Sequence, residues 1–238
     1  MNRVFITGDI HGLIDIHKLP MYFGHKKNLN KQDYLIICGD AGIVWDCQNQ
    51  DAQVQSILQD LPVTTLFVDG NHENFVALNE YPVEKWHGGK VHFICDDIIH
   101  LMRGQVYTIG TQTFFTFGGA HSVDWYQRTE GISWWKEEIP NHLEMQEGQD
   151  NLMKMNHKVD YIITHTAPYE VLAEMGMDIS DEEEIFSLYL DHIRKIVDFK
   201  NWYFGHLHFD EELDNFHCIF ENVVELKDNS DYDSVCNG

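Results

Sequence analysis

Residues 4–11 read Val4-Phe5-Ile6-Thr7-Gly8-Asp9-Ile10-His11. Four apolar or β-branched residues run into a glycine, and an acid and an imidazole follow at once. A short run of this kind, bounded by Gly or Asp, has the form of a buried strand. The form recurs along the chain. Tyr34-Leu35-Ile36-Ile37-Cys38 runs into Gly39-Asp40, and Thr65-Leu66-Phe67-Val68 runs, after Asp69, into Gly70-Asn71-His72-Glu73. Tyr161-Ile162-Ile163-Thr164 runs into His165, and Trp202-Tyr203-Phe204 into Gly205-His206-Leu207-His208. Asp9, Asp40 and Asn71 follow one another at equal steps of 31 positions, a length that suits one strand–helix–strand unit. Ligands of open α/β sheets bind beyond the carboxyl ends of the strands. Five strand ends here carry side chains able to hold a metal.

Helical patterns fill the intervals. Val54, Ile57, Leu58 and Leu61 share one face of a helix expected from Asp51 to Leu61. Ser180 with Glu183 reads as a capping box ahead of an amphipathic helix through Ile185, Leu188, Ile193, Ile196 and Val197. From Val91 to Gly118 apolar runs follow closely without helices, which predicts antiparallel sheet. Residues 120–141 form a long irregular stretch holding Trp125, Trp134 and Trp135; such loops are usually functional or mobile. Phe216–Phe220 and Val223–Leu226 read as a final hairpin. The fold class expected is α/β, with a single domain over residues 1–226 and a polar, disordered tail at 227–238.

The 238 residues are 43% hydrophobic, enough for a sizeable core, and no apolar run approaches the length of a membrane-spanning helix. The N-terminus lacks the pattern of a signal peptide. The five cysteines are odd in number and form no C-x-x-C pair, so neither a disulfide framework nor a zinc ribbon is indicated and a cytoplasmic location is expected. Sixteen Lys and Arg stand against 39 Asp and Glu, a net charge of −23. Such a surface repels phosphate backbones and makes long nucleic acid a poor partner.

One strand-end histidine is more often an ordinary hydrogen-bonded side chain than a metal ligand. Five motifs in one order are not. The series Gly8-Asp9-Ile10-His11-Gly12, Gly39-Asp40, Gly70-Asn71-His72-Glu73, Thr164-His165 and Gly205-His206-Leu207-His208 spans residues 8–208 and resembles the calcineurin-like metallophosphoesterase superfamily. The resemblance implies two mixed β-sheets packed as a sandwich flanked by helices. It implies a centre of two divalent metal ions, with Asp40 bridging them. Asp9, His11 and His208 would complete one shell, and Asn71, His165 and His206 the other. Two neighbouring cations repel, and an anionic ligand between them relieves this. A metal-bridging water or hydroxide would attack the phosphoryl group. His72 would act as the general acid or as a hydrogen-bond donor to the phosphoryl group, and Glu73 would orient its imidazole. Mixed N and O ligands without thiolate suit Mn, Fe or Zn.

Gly39-Asp40 continues as Ala41-Gly42-Ile43 and lacks the Asp-Arg-Gly context of the protein serine/threonine phosphatases. The loop after Gly119 offers replacements. Arg128 or His121 would contact phosphate, and Trp125 or Trp45 would stack on a base or ring. The function implied is a metal-dependent phosphoesterase acting on phosphomonoesters or phosphodiesters. Alternatives are a nucleotide-directed phosphodiesterase, acting on a cyclic nucleotide, a dinucleotide or a nucleic-acid end, and a scaffold that keeps the fold without catalysis.

Overall fold

Val4–Thr7 forms β1, Lys18–Phe23 α1, Tyr34–Ile37 β2, Asn49–Gln59 α2 and Thr64–Phe67 β3. The three strands lie side by side in parallel, each all buried, as their unbroken apolar runs require. This computed structural model describes residues 2–46 and 48–226; the segment 227–238, expected as a tail, lies outside them. The short α3 (Phe75–Leu78) leads to β4 (Val83–Trp86), β5 (Gly89–Cys95) and β6 (Ile98–Leu101). Then come β7 (Gln105–Ile109), β8 (Gln112–Phe117), α4 (His142–Lys154), β9 (Tyr161–Thr164), α5 (Tyr169–Glu174) and α6 (Asp181–Ile196). The series ends with β10 (Asn201–Phe204), β11 (Glu211–Leu213), β12 (Phe216–Cys218) and β13 (Val223–Glu225).

Two mixed sheets result. One runs β13-β1-β2-β3-β6-β5-β4, the other β11-β12-β10-β9-β8-β7. Their facing sides share a core in which Val4, Ile6 and Ile36 meet Tyr107, Phe114, Ile163 and Tyr203. The alternate residues Phe5, Leu35 and Ile37 point the other way, onto Leu19 of α1 and Val54 and Leu58 of α2. The second sheet does the same with Phe115, Ile162 and Trp202 against Leu152 of α4, Val171 of α5 and Phe186 and Leu190 of α6. The period of two thus divides each strand between two apolar layers. The layers are helix, sheet, sheet, helix.

Two expectations need correction. The stretch from Val91 to Gly118 is not one antiparallel sheet. β5 pairs β6 and β7 pairs β8 antiparallel, but β6 joins β3 and β8 joins β9 in parallel, in different sheets. The chain crosses between sheets at Arg103, which is drawn inward by a 2.8 Å bond from Nε to the Asp69 carboxylate. Likewise 216–220 and 223–226 do not pair with each other. β12 lies between β10 and β11, while β13 joins β1 across the molecule. The Asp210 carboxylate accepts from the backbone N–H groups of Phe220, Glu221 and Asn222 and turns the chain there. The hairpin lies one strand earlier, between β11 and β12. No helix among the described residues is long and apolar enough to cross a membrane.

Candidate metal centre

The carboxyl ends of β1, β2, β3, β9 and β10 converge at one edge of the sandwich. Asp9, His11, Asp40 and His208 place ligand atoms within 4.8 Å of one another. Asp9 and Asp40 are 0% and 1% exposed. Asp40 faces two sides: Oδ2 lies 3.4 Å from His11 Nε2, and Oδ1 lies 3.3 Å from His165 Nε2. His165 Nε2 is also 3.0 Å from Asn71 Oδ1, and the His206 ring stands 4.9 Å from the His165 ring. All seven expected ligands are therefore brought together, with Asp40 between the two groups.

The backbone is bent to achieve this. His11, Asp40, His206 and His208 have φ of 44°, 45°, 65° and 56°, a left-handed region that residues with a Cβ enter at a cost of order 1 kcal/mol or more. Glycines packed against these residues make room: a Cβ on Gly70 would meet Asp40 Oδ1 at 2.0 Å, and one on Gly205 would meet Asp9 Oδ1 at 2.1 Å. That steric demand is why the motifs read Gly-Asn-His and Gly-His.

Partners outside the ligand set fix which ring nitrogen is presented. His11 Nδ1 donates to Asp15 at 2.8 Å, and His165 Nδ1 donates to the Cys38 carbonyl at 2.8 Å. Both leave Nε2 turned towards the acids. Asn71 Nδ2 donates to Ser122 Oγ at 3.2 Å, which turns Oδ1 the other way. The Lys18 ammonium, buried and lowered in pKa by that burial, donates to the Asp9 and Phe220 carbonyls and pins the end of β1.

The cluster is short of positive charge. Burial opposes a charge on His165, yet the Asp40 and Asp9 carboxylates raise its pKa to about 10. Burial likewise pushes Asp40 upward, but His165 and His11 hold it well below the usual carboxylate range. Asp9 Oδ2 is buried and accepts no hydrogen bond, although His208 Nε2 lies 3.2 Å away. A buried carboxylate oxygen without a donor is costly unless a cation takes it.

The sequence profile of the calcineurin-like phosphoesterases matches residues 2–210. The chain belongs to that family. It is 24% identical over 202 residues to the lariat debranching enzyme of Caenorhabditis elegans, a match that covers 77% of this chain and 39% of that protein. The chain thus spans well under half the length of this curated relative. The crystal structure of phosphopantetheinyl hydrolase from Mycobacterium tuberculosis superimposes with a TM-score of 0.47 at 15% identity, over 92% of this chain and 88% of the other.

In this calcineurin-like phosphoesterase a cleft of about 420 Å³ opens over Asp40, Asn71, His206 and His208, with His72 and Arg128 on its wall. Arg128 Nη2 lies 2.9 Å from His72 Nε2. Since a guanidinium only donates, that ring nitrogen accepts. Burial and the Arg128 charge lower the His72 pKa, against the pull of Asp40. Glu73 does not orient His72. Its Oε1 accepts from Ala41 N at 2.8 Å and secures the loop after Asp40. Burial, with the Asp40 charge adding to it, pushes that carboxyl well above its usual range.

The remaining expected contacts divide. Arg128 reaches the cleft. His121 is buried and takes a 3.0 Å bond with Ser180 Oγ instead. Trp125 packs on Trp134 at 5.7 Å; Trp45 packs on Trp135 at 5.6 Å and, on its other side, stands 6.1 Å from the His72 ring, behind the cleft wall. Three supporting residues were missed: Asp15, Ser122 and Glu183. Asp15 stands one helical turn from His11, a spacing that could have found it. Ser122 has no signal in its neighbours. The sequence reads Glu183 as part of the helix cap, and Ser180 does accept from its backbone N–H. The Glu183 side chain turns to Thr166 Oγ1 instead, 3.9 Å from His206 Nε2.

A second cavity of about 270 Å³ lies beside Asp69, His100 and Arg103 and holds none of these ligands.

Proposed function

We propose that the protein hydrolyses phosphate esters of small molecules or nucleotides in the cytoplasm, at a centre of two divalent cations. Asp9, His11, Asp40 and His208 would hold one, and Asp40, Asn71, His165 and His206 the other. The observation that carries this reading is Asp40, whose two oxygens face separate imidazoles across the buried, donor-less Asp9 Oδ2. The donor set of oxygen and imidazole nitrogen fits Mn, Fe or Zn. When bound, such cations polarise phosphoryl oxygens and bring the pKa of a water towards neutrality.

The chain's own groups do the rest. Asp15 and the Cys38 carbonyl hold two imidazoles in one tautomer each. Asp124, 2.8 Å from Arg128 Nε, holds that guanidinium over the cleft, where its fork matches a phosphoryl group. A phosphoryl oxygen that draws Arg128 away frees His72 Nε2 to carry a proton. Once protonated there from solvent, the imidazolium donates that proton to the leaving oxygen.

Incubation of the purified chain with Mn and p-nitrophenyl phosphate, its bis ester and p-nitrophenyl phenylphosphonate tests this. Release of nitrophenolate that needs both Mn and His72 is expected. No turnover of any of the three with Mn bound would favour a scaffold and overturn the proposal. A phosphodiesterase reading, kept beside the similarity to a lariat debranching enzyme, expects the bis ester to exceed the monoester.

A further inference from the structure

One wall of the cleft is apolar. Leu172 belongs to α5, Met177 and Ile179 to the segment between α5 and α6, and Leu207 stands between His206 and His208. Leu172 is core, and the other three pack partly buried against the same cluster of the second sheet. Their inner sides are held by that core while they line the cleft. The shelf is therefore part of the scaffold.

The charge around the shelf is mostly negative. Asp124, Asp178 and Glu183 line the cleft beyond the ligand set. Arg128 is the one Lys or Arg among the described residues lining it, and its Nε is engaged by Asp124 at 2.8 Å. Glu183 is fixed by Thr166 Oγ1. A phosphoryl group at the cations has its charge matched there. The rest of the substrate meets an apolar shelf, two carboxylates outside the Asp124–Arg128 pair, and no uncommitted cation. A second anionic group would lose hydration there without gaining a counter-charge, and unpaired charge of this kind is how sites exclude competitors.

We propose that this cleft selects phosphate esters whose organic part is apolar and free of negative charge, and that it rejects substrates bearing a further phosphate or carboxylate. The inference rests on the phosphoesterase reading above and assigns the specificity to Met177, Ile179 and Leu207 as shelf and to Asp178 and Glu183 as charge filter.

The test is kcat/KM of the full chain with Mn on three aryl phosphates that differ only in the para substituent: ethyl, carboxymethyl and aminomethyl. The carboxymethyl compound is expected to fall at least about tenfold below the ethyl compound, mainly through KM, as like-charge contacts do. The aminomethyl compound is expected to fall less. Asp178, exposed at the rim, supplies a variant that spares the core. Asp178→Asn should narrow the ethyl-to-carboxymethyl ratio, and taking the ratio between variants cancels leaving-group reactivity. Met177→Ser should lower the ethyl compound more than the aminomethyl one. Equal rates on all three, or ratios unmoved by both variants, would overturn this inference alone. No hydrolysis of any compound would overturn the phosphoesterase reading and this one with it.

Discussion

Asn71 can serve a cation only through Oδ1, and its amide is turned by one hydroxyl, Ser122 Oγ. Removing that partner leaves the ligand in place but free to rotate. Outer partners of metal ligands are worth about 10–100-fold in affinity, so Ser122→Ala should weaken one of two Mn sites about tenfold, read by calorimetric titration. An unchanged isotherm would show that Asn71 needs no support. Arg128→Ala should lower kcat/KM by about 10–100-fold, in line with the loss of one charge-assisted pair to a phosphoryl group. Unchanged kinetics would remove Arg128 from the substrate site. At this scale the seven candidate ligands were legible because each sits in a contiguous motif just after an apolar run. The glycines before Asn71 and His206 carried the same information twice, since the fold needs them for space. Ser122 and Glu183 were not legible. Their roles depend on where a loop and a helix end up, and nothing within a few residues of either encodes that.

The segment from Gly119 to Asn141 acts as an element, although little of it is regular. Glu138 is 1% exposed and accepts from Ser122 N and Trp135 N, which closes the loop on itself beneath the site. Burial raises its carboxyl to about 7. The folded state thus binds the proton more tightly than the unfolded chain does, and the contribution to stability is full below about pH 4.5 and lost as pH rises through 7. Wild-type Tm should therefore carry a falling component across that window, and Glu138→Gln should flatten it. Equal slopes in the two proteins would show the carboxyl to be ionised throughout. The buried strands and two of the three long helices were legible from periodicity, and α2 and α6 lie within two residues of their expected bounds; α4 and the exposed strands β4 and β11, whose patterns are mostly polar, were not. Pairing was not. Adjacent strands are by default read as neighbours, but the Asp210 carboxylate and the buried Arg103 each send the chain across to the other sheet.

Across the whole molecule, the candidate ligands come from both sheets. Asp9, His11, Asp40 and Asn71 follow strands of the first, and His165, His206 and His208 follow strands of the second. Cations there would tie the two layers at one edge, and a ligand present at 100 times its Kd stabilises by about 2.7 kcal/mol. Chelation with EDTA should lower Tm by about 5–10 °C on that basis; an unmoved melting curve would argue against tight sites. The division also bears on the order of assembly. A clasp that needs both sheets cannot close until each has formed and the two have docked, so it adds nothing to the folding transition state. Metal should then leave the refolding rate almost unchanged and slow unfolding instead. In a denaturant chevron only the unfolding arm should shift with Mn. The protein's persistence, more than its speed of formation, would follow the supply of metal.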